Sequence, residues 1–149
     1  MVYDILTIEE ASASRFNREV TIDFKDLAAL VAGNTANFKL SKGLASTLVG
    51  NFVTDLEIPF TFSDGSLVSC AITIGNGGAN AADLASQELE TSPVIAKAGV
   101  NGSTLTAYVA NTQVNVYFTA TAAKNLNTAT AGRLHILFTE VDLTKYRTV

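Results

Sequence analysis

Tryptophan is absent from this chain of 149 residues, and cysteine and histidine occur once each. Without tryptophan there is no indole platform on which a sugar ring could stack. A single cysteine, Cys70, cannot close a disulfide within the chain, and no zinc-ligand spacing accompanies it, so synthesis in a reducing compartment is the simplest reading. Charged residues make up 16% of the chain, against about 25% in ordinary soluble domains. The net charge is −4 and the isoelectric point is about 4.8. A basic patch, which a phosphate-binding surface needs, is missing, which argues against direct binding of nucleic acid. No apolar run approaches the ~20 residues that span a bilayer, so no membrane partner is expected. The first residues carry acidic side chains where a secretory leader carries basic ones.

What is present is alternation. Val114, Val116, Phe118 and Ala120 share one phase, and Gln113, Asn115, Tyr117, Thr119 and Thr121 the other. After a polar loop, Leu134, Ile136 and Phe138 alternate with Arg133, His135, Leu137 and Thr139. Period two means a strand with one face buried and one presented. The same pattern begins at Val20, Ile22 and Phe24, resumes at Phe38 and Leu40, and runs long from about residue 51 to 62. In that long run Phe52, Leu56, Ile58, Phe60 and Phe62 are predicted to share a face opposite Asp55 and Glu57. Pro59 removes a ladder donor and predicts a strand edge or a bulge. Ser63-Asp64-Gly65-Ser66 reads as a hairpin-type turn into a strand over 67–74. Weaker strands are predicted over 93–97 and 104–110, and a short helical turn near 81–89 after the glycines at 75, 77 and 78. The aromatic set Phe24, Phe38, Phe52, Phe60, Phe62, Phe118 and Phe138 falls at inward phases and is read as core. Residues 1–19 form an arm, extended or with a short helix near 9–16, and Thr7 with Glu10 offers a capping box. The whole predicts an all-β antiparallel sandwich or jelly roll of about eight strands over residues 20–149.

The residues that could carry chemistry are few. Cys70 lies between apolar neighbours in a predicted strand and reads as a small core residue. His135 would have to be the base of any serine or cysteine triad, and no Gly-x-Ser-x-Gly elbow accompanies it. One histidine also falls short of a cupin-type metal cluster. Its phase, opposite Leu134 and Ile136, places His135 on the presented face, where an imidazole titrates near pH 6.5. Asn76, Asn80 and Asp83 in a glycine-rich loop could offer oxygen ligands to Ca²⁺, but one carboxylate and no EF-hand spacing favour a plain turn. No cofactor, metal or catalytic group is expected, and the reading is of a non-enzymatic protein.

Several segments, taken in order over residues 35–142, resemble a jelly-roll family of tailed-phage structural proteins: capsid decoration (cement) proteins and head or tail fibre modules. The segments are Phe38 and Leu40; a long strand with Asp55 and Glu57; Ala71 to Gly78 ending in a glycine-rich turn; Asp83-Leu84-Ala85; Phe118 to Thr121; Asn125 to Gly132; and Leu134 to Phe138. The family often has Gly-Asp in its turn, where this chain has Gly75-Asn76. The resemblance implies a virion surface protein, made in the host cytoplasm and often trimeric, that clamps the major capsid protein. It also implies that terminal arms reach neighbouring subunits. The candidate contacts are Tyr3, Ile5, Leu6 and Phe16 in the N-terminal arm, Asn76, Asn80 and Leu84 in the loop, and Lys145, Tyr146 and Arg147 in the tail. The alternative is a fibre or spike module binding a host receptor through exposed loops, against which stand the few exposed aromatics and the lack of repeats or a stalk.

Overall fold

The computed structural model describes residues 1–5, 7, 16–40, 47–65, 67, 69–76, 84–88, 106–108 and 114–142. Two long strands organise them: β4 (Thr47–Phe62) and β9 (Ala129–Asp142), paired antiparallel along most of their length. Around them are β1 (Val2–Ile5), β2 (Arg18–Asp23), a short helix α1 (Phe24–Ala28), β3 (Thr35–Lys39), β5 (Cys70–Asn76), β6 (Leu84–Glu88), β7 (Thr106–Tyr108) and β8 (Val114–Ala120). One sheet runs β1-β2-β9-β4-β7 and the other β3-β8-β5-β6, with every pairing antiparallel. The fold is an all-β sandwich. From β2 onward the pairings nest: β2 with β9, β3 with β8, β4 with β7 and β5 with β6. Two further contacts, β4 with β9 and β5 with β8, close the nest into its two sheets.

Period-two patterning explains what lies between the sheets. Val20, Ile22, Phe52, Leu56, Phe60, Leu134, Ile136 and Phe138 face inward from the five-stranded sheet and are buried. Cys70, Ile72, Ile74, Val114, Val116 and Phe118 meet them from the other. Phe118 ties the layers together, edge-on to Phe38 in its own sheet at 5.6 Å and to Phe60 across the gap at 5.9 Å. Phe52 stacks on Phe138 at 5.5 Å. Each such ring, fully buried, contributes roughly 1.5–3 kcal/mol by transfer from water. Of the seven phenylalanines expected in the core, Phe24, Phe38 and Phe62 sit at its margin, partly buried.

The structure departs from the sequence expectation in five places. The turn at Ser63-Asp64-Gly65-Ser66, expected to close a hairpin, instead carries the chain from β4 in one sheet to β5 in the other, so the strands it joins do not pair. Residues 84–88 form a strand, not the helical turn expected near 81–89, because pairing with β5 (Ala71 opposite Glu88, Ile74 opposite Leu84) overrides the weak helical preference of an alanine-containing segment. Phe24 begins a helix instead of ending a strand. Its cap is Asp23, whose Oδ1 accepts from Lys25 N at 2.7 Å while Asp26 Oδ2 accepts from Asp23 N at 2.9 Å. Ile58 is exposed (40%), since register shifts on both sides of it, next to Pro59, turn it out of the face that Leu56 and Phe60 share. Of the strand edge or bulge expected at Pro59, the structure has a break in register within a paired strand, and it moves a residue expected in the core. Finally, the segment drawn as an arm enters the sheet: Tyr3 stands opposite Val20 and Ile5 opposite Arg18, and the Met1 amino group pairs with the Asp26 carboxylate of α1. The strand expected over 93–97, the helix considered near 9–16 and Glu10 of the Thr7 capping box lie outside the described residues, apart from Phe16 at the end of that helix.

Two details of the β4–β9 spine set its tolerance to change. Gly132 has φ +140°, and the Phe60 ring occupies the space where a Cβ would stand, 2.3 Å from the nearest ring carbon. Only glycine meets both demands. At the other end, Arg18 and Glu140 continue the inward phases of Val20 and Phe138. Arg18 Nη2 lies 3.5 Å from Glu140 Oε1, and Arg18 Nη1 donates to the Asn17 carbonyl at 2.9 Å. Asn17 adds a rung to the ladder, its Nδ2 donating to the Glu140 carbonyl and its Oδ1 accepting from Glu140 N, both at 2.8 Å. Arg18 Nε and Glu140 Oε2 are buried without a hydrogen-bond partner, so this ion pair retains much of its desolvation cost.

Two outcomes in urea unfolding follow. Gly132→Ala destabilises by about 2 kcal/mol or more, through overpacking and backbone strain together, and it costs less in a Phe60→Ala background, where the Cγ and ring carbons that stand 2.3–2.4 Å from the new Cβ are gone. Arg18→Met or Glu140→Leu alone costs roughly 2 kcal/mol, since each strands a charge, whereas the double substitution costs less than either. Additive losses would mean that the two side chains do not act as a pair.

Candidate functional site

The two outer faces of the sandwich differ in chemistry. On the four-stranded sheet the described outward positions of three adjacent strands fall in register: Thr35, Thr119 and Ala71; then Asn37, Tyr117 and Thr73; then Lys39, Asn115 and Gly75. Lys39 is the sole charge among those nine. On the five-stranded sheet the outward positions of β2, β9 and β4 include Glu19, Thr21, Arg133, His135, Asp55 and Glu57. The charge of the described sheets is concentrated there, with His135 at its centre.

His135 stands on the middle strand of the five, opposite Thr21 on one side and Asp55 on the other. The ring reaches diagonally to both neighbours. Nδ1 lies 2.8 Å from Glu19 Oε1, with Thr21 Oγ1 at 3.1 Å, and Nε2 lies 2.8 Å from Glu57 Oε2. Arg133 Nη1 approaches the same Glu57 oxygen at 3.4 Å. The His135 side chain is three-quarters buried by these neighbours (24% exposed), while Glu57 and Arg133 are nearly half exposed. Desolvation disfavours the charged ring, but hydrogen bonds to Glu57 and Glu19 and their negative charges outweigh it, so the imidazole titrates above its ordinary 6.5. The same bond from His135 holds the Glu57 carboxyl below its ordinary 4.5, against desolvation and with help from Arg133. Both ring nitrogens face carboxylates, a setting that demands an imidazolium with two N–H donors. As placed, neither nitrogen is aimed at a hydroxyl or thiol nucleophile other than Thr21.

The residues singled out from the sequence disperse over the fold. Tyr3 and Ile5 belong to the edge strand β1, and Phe16 is half-buried just before β2. Asn76 ends β5 opposite Val114, and Leu84 begins β6, the edge of the other sheet. Leu6, Asn80, Lys145, Tyr146 and Arg147 lie outside the described residues. Cys70 is fully buried, as its pattern predicts. Glu19, Arg18 and Glu140 carry no signal in the sequence reading, and Glu57 enters it only as an outward residue of the long strand. Outward phase marked Glu57 as presented, but nothing local to the sequence says that β2 and β4 flank β9. Among the described residues no group of three or more His, Cys, Asp or Glu is arranged to hold a metal ion, and no helix is long and apolar enough to cross a membrane. No family model, curated protein or solved structure matches this chain.

Because the chain has a single histidine, its titration can be read without assignment ambiguity. The proton NMR titration of His135 is expected above pH 6.5, and Glu57→Gln and Glu19→Gln should each lower it, since both carboxylates raise it by hydrogen bond and by charge. A midpoint at or below 6.5 in the unmodified protein would show that desolvation wins.

Proposed function

We propose that this chain is a non-enzymatic virion structural protein, a capsid decoration protein that binds the outer surface of the major capsid protein as a homotrimer and stabilises the phage head. The observation that carries the reading is the agreement between the resemblance and the strand plan. The segments Phe38–Leu40, Asp55–Glu57, Ala71–Asn76, Phe118–Ala120 and Leu134–Phe138 fall, in order, on or at the end of β3, β4, β5, β8 and β9. The nested pairing of β2 through β9 is also what an eight-stranded ribbon produces when rolled into two Greek keys, so the sandwich is read as a jelly roll, an architecture that recurs in capsid proteins.

The surface supports a role carried by interfaces. Of the nine outward positions of β3, β8 and β5, Asn115 and Gly75 are already buried and the other seven carry one charge, Lys39, so a partner covering them desolvates a single ion, whereas covering the outer face of β2, β9 and β4 would desolvate several. Tyr3 and Ile5 on the β1 edge, and Leu84 on the β6 edge, lie where a neighbouring subunit can approach either sheet from its rim. Weak contacts repeated over a lattice sum when geometry permits simultaneous engagement. Binding to the assembled shell in preference to free subunits stabilises the shell by mass action.

The test is to mix purified protein with mature and immature capsids and count copies by cryo-electron microscopy. Regular density at local threefold or quasi-threefold positions, in hundreds of copies per particle, is the expected result. Density confined to a vertex, tail or fibre would replace this reading with an adhesion module. Binding to neither particle would remove the virion assignment.

A further inference from the structure

Three strands meet at His135, and the partners of its two nitrogens are unequal. Nε2 faces one acceptor, Glu57 Oε2. Nδ1 faces two groups, the Glu19 carboxylate at 2.8 Å and the Thr21 hydroxyl at 3.1 Å. A carboxylate only accepts, but a hydroxyl can also donate. When the ring is charged, Nδ1–H donates to Glu19 and Nε2–H to Glu57, and β2, β9 and β4 are clasped through their side chains. When the ring loses one proton, the nitrogen left bare carries a lone pair. A bare Nε2 would face Glu57, lone pair against carboxylate, while the neighbouring Arg133 is already turned to the same Glu57 oxygen. A bare Nδ1 would face Thr21, whose hydroxyl can turn and donate to it. The neutral ring therefore keeps its proton on Nε2, keeps Glu57, and exchanges Glu19 for Thr21.

We propose that His135 is a pH-operated clasp on the outer face of the five-stranded sheet, which holds Glu19 when protonated and releases its carboxylate to solvent when neutral. The step is a proton transfer to water or buffer and a hydroxyl rotation, with no other bond made or broken. The groups that set it face the ring from both sides: Glu19 and Thr21 on β2, Asp55 and Glu57 on β4, and Arg133 on β9 itself. Beyond β2, Asp4 of β1 stands opposite Glu19 in register, so the loss of the imidazolium charge leaves Glu19 uncompensated beside an acidic position at the sheet's edge. The direction of the pH dependence follows from the raised titration of His135. Its contribution to stability is fully present below 6.5 and is lost as pH rises through the higher folded value. The Glu57 contribution is present above 4.5 and is lost as pH falls through its lowered value. The clasp is complete between these limits and opens on the alkaline side. This inference stands independently of the virion reading, because it concerns the sheet and not its partner.

The experiment is ¹⁵N NMR of the His135 ring from pH 5 to 9 in the unmodified protein and in Thr21→Val, with thermal melts of the unmodified protein and His135→Gln over the same range. The neutral ring is expected as the Nε2–H tautomer in the unmodified protein. In Thr21→Val, which is near in shape but lacks the hydroxyl, that tautomer loses its dominance. The melting temperature of the unmodified protein is expected to fall by roughly 2–5 °C relative to His135→Gln between pH 6 and 9. The comparison with His135→Gln subtracts every other group that titrates in this range. A dominant Nδ1–H tautomer, an unchanged tautomer ratio in Thr21→Val, or parallel melting profiles for the unmodified protein and His135→Gln would each overturn the proposal.

Discussion

The pairing of β4 with β9 is the constraint on which the rest of this structure depends. Each is far longer than an average strand of five or six residues, and together they carry the inward row of Phe52, Leu56, Phe60, Leu134, Ile136 and Phe138. A ladder of this length cannot remain regular in a twisted sheet. It is relieved by the register shifts around Ile58 and Thr61, next to a proline that cannot donate, and by Gly132, which leaves room for the Phe60 ring. Phe60 then reaches Phe118 across the gap, so the local irregularity of one strand pair places the contact that joins the two sheets.

From that spine the sheets grow outward in opposite chemical directions. β2 adds to β9 and brings Glu19 and Thr21 beside His135, while β4 brings Glu57 from the other side. The result is a charged outer face on which Glu19, His135, Glu57 and Arg133 are linked and whose central imidazole titrates above its ordinary 6.5. The outer face of β3, β8 and β5 is nearly free of charge. A low charge content spread evenly would leave a uniformly bland protein. Concentrated on one sheet, it makes a two-sided plate, one side more costly to desolvate than the other. This asymmetry is the physical ground for the interfacial role proposed above.

The polar details at the ends of the sheet follow the same economy. Asn17 substitutes a side-chain amide for one more residue of strand pairing. The Asp23 cap turns the chain out of β2 into α1 so that Leu27 enters the core. Arg18 and Glu140 occupy inward phases where the core ends, and they satisfy each other only in part. Such a pair opposes further apolar packing at that end and favours one register of β2 on β9 over a slip that would bury either charge alone.

Alternation alone determined which faces of most of these strands point inward, and thus the sandwich class, the burial of Cys70 and the outward position of His135, because period two couples side-chain direction to position without reference to any neighbour. It also located the break in register near Pro59, since a missing donor is a local fact. It missed the helix at Phe24–Ala28, although Asp23 and Asp26 carried its cap, because Val20, Ile22 and Phe24 continue a strand period across the boundary. It placed a helix where β6 lies and left Val2–Ile5 out of the sheet, because short edge strands owe their conformation to a partner's backbone more than to their own residues. Strand order was the decisive gap. Glu19 and Glu57 are 116 and 78 residues from the histidine they share, and only the tertiary pairing of β2 and β4 with β9 brings those three side chains together. The residues were legible as presented polar groups; their union into one site was decided by topology, since a strand's sequence specifies its faces but not its neighbours.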